Sequence, residues 1–446
     1  MIEELRHRDL RHLWHPCTPI NAFEQAPFPV IERAEGVRLF EVGGRPILDG
    51  ISSWWCVNLG HGHPRIVEAI QWQAGILQHS ILGGMSHPGA IELAERLAAV
   101  APEGLNHCFF ASDGASAVEA ALKIAVQYWA NAGVSGRTRF IALQDGYHGD
   151  TLGAIGVGYV ESFHKDFKEV VCPAFRAVSP HCAQCPCGKK PETCDIECFE
   201  WMRELVEAHH RETAAVIIEP LCQGAAGIRI YPEEYLQRLR ALCDRHGLLL
   251  IADEIAVGFG RTGSMFACER ARIQPDIMTV GKGMTGGYLP MSAALVRDAV
   301  HDAFRETPDR DRTFYHSHTF GGNPIACAAA LAALDVYRDE SVIERSQPRI
   351  RQLAEGIRKL GDTLGESKWR ALGMMGVVEI DDGSGGVARA RRIGRRALEL
   401  GLFIRPLGRA VYLWPPLTTS ADELEEMLSI LKTSVAQTFW TGNGDL

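Results

Sequence analysis

From about residue 105 onward, short uninterrupted apolar runs alternate with longer stretches whose apolar residues recur at 3.6-residue spacing. The short runs predict strands over His107–Ser112, Arg139–Leu143, Ala214–Glu219, Leu248–Asp253, Asp276–Val280 and Met291–Val296. The periodic stretches predict helices over Ala115–Ala132, Glu233–His246 and Pro324–Tyr337. Runs such as LLLIAD and AAVIIE have no polar alternation, so both faces of these strands must be covered. The pattern is that of an α/β fold with a mostly parallel sheet flanked by helices. After residue 340 it changes to helix Arg349–Leu360, strand Met374–Glu379, helix Ala388–Leu400, strand Val411–Trp414 and helix Ala421–Val435, a smaller α+β domain. Val37–Leu48 reads as a hairpin that needs a partner. Residues 1–60 are therefore expected to pack with the small domain (341–446), and residues 61–340 to form the large one.

Composition narrows the function classes. A chain of 446 residues, 46% apolar and 23% charged, is long enough for two domains of ordinary globular kind. Its net charge of −9 offers no surplus to neutralise phosphates, so no nucleic-acid partner is expected. No apolar run reaches membrane-spanning length, and the opening MIEELRHRDLRHLWHP has acids and histidines where a signal peptide needs an apolar stretch. A cytoplasmic location is expected, in which the 13 cysteines are thiols or metal ligands rather than disulfides.

Candidate chemistry gathers where strands end. In DIMTVGKG a buried strand runs straight into Lys282 between two glycines. A buried lysine tends to lose its proton, and a neutral amine there can condense with an aldehyde; a surface lysine in a turn is the plainer reading. The same glycines match G-x-G-x-x-G, but Gly286, Gly287 and Pro290 forbid the helix that a dinucleotide site needs. The neighbouring strand ends at Asp253, at the sheet edge where open α/β sheets hold ligands. A carboxylate there can pair with a protonated ring nitrogen, or can simply cap a turn. Alternation turns the adjacent Glu254 away. At Asp113-Gly114-Ala115 a strand breaks and a helix begins, leaving N–H groups free for a phosphate. In QDGYHGD, Tyr147 can stack on a planar ring or serve only as a loop tyrosine.

Together these segments resemble the class III aminotransferases over nearly the whole chain. The motifs stand in the family's order: SDGASAVEAALK, GYHGDTLGA, IIEPLCQGAAG, LIADEIAVGFGRTG, PDIMTVGKGMTGG and HTFGGNPIACAAA. Within the family, LWHPCTP, DGISSWWCVNLGHGHP and FIRPLGRAVYLWPP are similar to the biotin-synthesis branch that aminates 8-amino-7-oxononanoate with S-adenosylmethionine. The resemblance implies fold type I of the pyridoxal 5'-phosphate (PLP) enzymes. It implies a Schiff base on Lys282, pairing of Asp253 with the pyridine nitrogen, and phosphate binding by the amides of Gly114 and Ala115. Tyr147 is implied to stack at the ring and touch substrate. His318 and Thr319 are implied to reach the phosphate of the partner subunit in a homodimer. Trp54, Ser317 and Arg405 are implied to line the substrate pocket, with Arg405 on the substrate carboxylate. The chain departs from the family where a tyrosine often follows His-Pro: Cys17 stands there and cannot stack. Ala115 stands where a serine is common.

Two further readings stay in view. One is a class III transaminase for lysine or an ω-amino acid, or an aminomutase of the same fold, against which Trp54, Trp55 and Arg405 count. The other is a non-catalytic or metal-binding relative, against which Lys282 and Asp253 count. Cys182, Cys185, Cys187, Cys194 and Cys198 crowd an insertion whose C-x2-C and C-x3-C spacings come within reach of tetrahedral zinc. Transamination needs no metal, so this loop is expected to be structural and no metal is assigned to the site.

Overall fold

The structure, a computed structural model, describes residues 1–25, 28–308, 310–364, 369–380 and 385–440. Its centre is a seven-stranded sheet of β1 (His107–Ala111), β2 (Arg139–Leu143), β3 (Phe175–Ala177), β4 (Thr213–Ile218), β5 (Leu249–Asp253), β6 (Ile277–Val280) and β7 (Ser292–Val296). The strand order is β1-β7-β6-β5-β4-β2-β3. Only β7 runs against its neighbours.

Every residue of β4 and β5 is buried, as runs without polar alternation require. The two faces feed two cores. Leu249, Ile251 and Ile277 join one core with helix Gly114–Asn131, while Leu250, Ala252 and Met278 join the other with helix Pro324–Asp339. This period of two decides the fate of the paired acids at the end of β5. Asp253 shares its parity with Leu249 and Ile251, and so faces the side of helix Gly114–Asn131. Glu254 turns to the opposite side, where its carboxylate accepts the N–H groups of Ala267 and Cys268 at 3.0 and 2.7 Å.

Three smaller sheets accompany it, one of them only the two-stranded ribbon of Cys222–Gln223 and Arg229–Ile230. Trp369–Leu372, Met375–Glu379 and Ala410–Leu413 form an antiparallel sheet backed by helices Val342–Thr363, Gly386–Glu399 and Ala421–Trp440. The expected hairpin is present as Arg38–Glu41 paired with Pro46–Asp49, and its second strand continues in parallel onto Leu402–Phe403. The N-terminal residues and those after 400 thus share one sheet. Helices Ile2–His12, Pro64–Ala74, Pro88–Val100 and Glu200–His209 were not among the expected elements, and others differ from the sequence reading. The helix expected from Arg349 begins at Val342 and carries Pro348 inside it. Strands Trp369–Leu372 and Phe175–Ala177 were not expected, because such short edge segments carry too few residues to show a period. Among the described residues no helix is long and apolar enough to cross a membrane.

Glu254 yields a test. Burial pushes its carboxyl up to about 7, against the two backbone N–H groups that pull it down. The folded chain therefore keeps a proton that the unfolded chain has released, and stability falls as pH rises from the ordinary carboxylate range to about 7. Glu254→Gln removes that titration. In melts taken between about pH 5 and 7, the wild-type Tm should decline relative to that of the variant. A constant difference in Tm would contradict the assignment.

Candidate active site

The parallel register of β5 and β6 sets Asp253 opposite Thr279. Thr279 Oγ1 and the Ile255 N–H donate to Asp253 Oδ1 at 3.2 and 3.1 Å, and His148 Nδ1 lies 2.7 Å from Oδ2. Asp253 and His148 are both buried, so the carboxylate is held in a fixed orientation at the sheet edge. One strand over, β6 ends and Gly281 leads into Lys282, whose φ of +43° opens a single 3-10 turn that stops at Gly286. No helix starts at these glycines. The Lys282 ammonium lies 5.1 Å from the ring centroid of Trp55, and among the described residues it has no hydrogen bond or ion pair. It is an amine without a fixed partner, one strand over from the buried Asp253.

Helix Gly114–Asn131 starts on the same face. Asp113 caps it, its carboxylate accepting the Ser116 N–H at 3.0 Å and the Ser116 hydroxyl at 2.9 Å. Gly114 and Ala115 are its first two residues, so their N–H groups have no acceptor within the helix and point out with the positive end of the dipole. The loop carrying Tyr147 and His148 lies against this corner. Gly149 adopts φ +119°, and a Cβ on it would meet the Ala115 Cβ at 2.4 Å. Tyr147 donates its hydroxyl to Asp150 at 2.9 Å and its N–H to Glu219 at 3.0 Å, and its ring lies parallel to His164. Burial first, then Asp150, pushes the Tyr147 phenol far above its usual range. Glu219 takes a second N–H from Gly224 at 2.9 Å, and burial pushes it up to about 7.

Trp54 and Trp55 sit in an unusual backbone. Ser52, Ser53, Trp54 and Trp55 all have left-handed φ, +51°, +45°, +71° and +69°. Each such L-residue costs roughly 1–2 kcal/mol. The turn splays the two indoles. Trp55 is buried, stacked on Trp414 at 4.6 Å. Trp54 stays 40% exposed, with the Arg405 guanidinium 4.7 Å above its ring. Arg405 also donates to the carbonyl of Cys17 at 2.6 Å. Cys17 is exposed and lies near Tyr147. The structure thus gathers Lys282, Asp253, Tyr147, Trp54, Arg405 and Cys17 around one end of the sheet, with Gly114 and Ala115 at the helix start. It does not bring Ser317, His318 and Thr319 there. They follow an exposed segment beside β1, where His318 packs on His316 and Gly321 donates to the His318 carbonyl.

Three contributors were not singled out from the sequence: His148 as the partner of Asp253, Glu219 as the clamp of the Tyr147 loop, and Trp55 as the wall beneath Lys282. Thr279 had a usable signal, since it is two residues beyond Ile277 on the face that Asp253 uses. The contacts of His148 and Glu219 span loops and carry no period.

The cysteine insertion docks elsewhere. Gln184 donates to Glu379 at 2.7 Å, and Glu379 also pairs with the buried Arg370 at 2.9 Å. Burial, with Arg370 and Arg229 nearby, pushes His181 down to about 4. Burial pushes the Cys182 thiol up to about 11 and that of Cys198 to about 12. Every cysteine is a free thiol, and among the described residues no three His, Cys, Asp or Glu side chains converge as a metal site would require.

Comparison with known proteins follows the same outline. Residues 20–435 match the family described as Aminotransferase class-III. The chain is 42% identical to the adenosylmethionine-8-amino-7-oxononanoate aminotransferase of Nitratidesulfovibrio vulgaris, over 97% of this chain and 81% of the relative. The crystal structure of the Methanocaldococcus jannaschii enzyme of that name superposes with a TM-score of 0.90 at 35% identity, over 98% of this chain and 99% of the other. A PLP-bound amine transaminase from an uncultivated Pseudomonas species superposes with a TM-score of 0.89 at 33% identity, over 96% and 99%.

The insertion's contacts generate the prediction here. Its partners are Glu379 of the small sheet and Arg238 of helix Glu233–His246, not Lys282 or Asp253. Serine at Cys182, Cys185, Cys194 and Cys198 together should leave kcat within about twofold and lower the Tm. A large loss of kcat with unchanged Tm would show that the insertion reaches the site.

Proposed function

The chain belongs to the class III aminotransferases, and on that premise we propose that it transfers an amino group from S-adenosylmethionine to the keto carbon of 8-amino-7-oxononanoate, giving 7,8-diaminononanoate for biotin synthesis. The cofactor is pyridoxal 5'-phosphate, and the donor set fits it: an unpaired amine, a buried carboxylate and a helix start with free N–H groups. When bound, the cofactor supplies an electron sink for the bond broken at the amine-bearing carbon.

The chain's own residues then divide the work. Lys282 would hold the cofactor through Nζ, and the same amine, once free, would move a proton between the substrate carbon and C4' of the cofactor. Asp253 would keep the pyridine nitrogen protonated, with His148 and Thr279 fixing its two oxygens. Gly114 and Ala115 would bind the phosphate through their N–H groups. Tyr147, held through its N–H by Glu219, would cover the ring.

The observation that carries the choice of acceptor is Arg405 lying over the exposed face of Trp54. A guanidinium fork matches a carboxylate, and an indole face accommodates an alkyl chain, so the pair suits an acid with a long aliphatic body. Ser317, His318 and Thr319 act in this reading on the partner's site of a homodimer. Exposed apolar residues around that segment support it: Tyr315 and Phe320 beside it, and Ile76, Ile81 and Met85 in the stretch packed against it through His79 and Leu82.

Two outcomes test this. Mixing the holoenzyme with S-adenosylmethionine alone should bleach the visible absorbance of the bound cofactor. If lysine or an ω-amino acid bleaches it and S-adenosylmethionine does not, the donor assignment fails. Arg405→Ala should raise KM for the keto acid about tenfold or more and disturb the donor half-reaction less; equal damage to both halves would make Arg405 structural. Separately, sedimentation at assay concentration should give a dimer, and an active monomer would overturn the shared site.

A further inference from the structure

We propose that Asp49 is a positioning residue for acceptor recognition, holding the strained turn that aims Trp54 at Arg405 and Trp55 at Lys282. The inference rests on the reading in which Trp54 and Arg405 receive the carboxylate end of the acceptor.

Four successive left-handed L-residues persist only where the surroundings over-determine them. Asp49 is the group that does so. It is fully buried, and among the described residues it forms no ion pair with a lysine or arginine. Oδ1 accepts the N–H of Ser53 at 2.9 Å and that of Ile51 at 3.3 Å. Oδ2 accepts the Ser53 hydroxyl at 2.7 Å and lies 2.9 Å from His61 Nε2. His61 is fixed in turn by paired backbone bonds with Gly36. The carboxylate thus performs, for a left-handed turn, what a capping residue performs for a helix start. The far end of the turn is pinned as well: Ser52 Oγ donates to the carbonyl of Trp414 at 2.7 Å, and Trp414 stacks on Trp55.

Two consequences follow for the site. In this turn Trp55 goes inward and Trp54 outward, and each meets a different cation, Arg405 over Trp54 and Lys282 beside Trp55. A relaxed turn therefore misplaces the acceptor's wall and loosens Trp55, while Asp253, the helix start and the backbone that carries Lys282 stay in place, because none of these bonds to Asp49. The expected signature is a change in acceptor affinity, not in the chemical step.

The experiment compares the wild-type holoenzyme with Asp49→Ala, Asp49→Asn and the double variant Asp49→Ala/Ser53→Gly. Two readouts are taken: steady-state constants for each substrate, and the circular-dichroism couplet of the stacked Trp55–Trp414 pair, recorded with and without cofactor. Asp49→Ala should raise KM for the keto acid about tenfold while kcat and the donor KM change less than about threefold. Its couplet should weaken in both forms. Asn keeps one acceptor oxygen and should fall between Ala and wild type. Glycine adopts left-handed φ without penalty, so Ser53→Gly should recover part of both losses. Unchanged KM and couplet in Asp49→Ala, a fall in kcat at unchanged KM, or no recovery by glycine would each overturn the proposal. Should Asp49→Ala fail to fold, Asp49→Asn decides by the same split. If the wild-type enzyme accepts no long-chain keto acid, the functional reading fails, and the couplet alone still decides whether Asp49 sets the turn.

Discussion

A carboxylate at the end of a strand buried on both faces is the constraint around which this molecule is arranged. Asp253 leaves water entirely, and a buried carboxylate is tolerated only with its oxygens engaged. Its partners come from three places: Thr279 across the register, Ile255 along the chain and His148 from a distant loop. Each partner imposes an arrangement of its own. The first fixes the register of β5 on β6, and hence where Lys282 emerges. The third draws in the loop that carries Tyr147, and with it the corner where the helix begins. Glu219 and Glu254 show the contrast. Each is also buried, takes two backbone N–H groups and is pushed up to about 7 by burial.

Much of the frame was legible in the sequence because it rests on period. β2 matches its expected range, β1, β5, β6 and β7 differ from theirs by one residue at an end, and β4 is shifted by one residue at both ends, since unbroken apolar runs leave no other way to cover a strand twice. The opposite facing of Asp253 and Glu254 followed from the same period of two. What escaped were contacts between segments far apart in the chain. Nothing near His148 announces that it pairs with a residue 105 positions later. Nothing in SSWW announces a left-handed turn, because its cause lies in Asp49, His61 and Trp414. Lys282, Gly114 and Tyr147 were visible as candidates through their local corners, but their convergence on one end of the sheet is a product of strand order.

The substrate-facing side is assembled from the two ends of the chain. Cys17 supplies a carbonyl to Arg405, and Trp414 supports Trp55, while strand Pro46–Asp49 runs parallel to Leu402–Phe403. The cofactor-facing side draws instead on the central sheet. Trp54 and Arg405 on one side, and Lys282 and Asp253 on the other, are thus built on separate supports that meet at Trp55. The cysteine insertion belongs to neither support: through Gln184 and Glu379 it braces the small sheet, and burial pushes the thiols of Cys182 and Cys198 up.

The contact between Gly149 and Ala115 bears on how such genes can be recombined. Two corners 34 positions apart share a space into which only one of them can place a side chain: a Cβ on Gly149 would overlap that of Ala115, and φ at Gly149 already excludes most residues. A chimera whose crossover falls between them inherits the two corners from different parents, and their packing has never been selected together. Crossovers placed before residue 113 or after residue 150 keep the pair intact, so shuffled libraries built on this scaffold should treat that stretch as a single block.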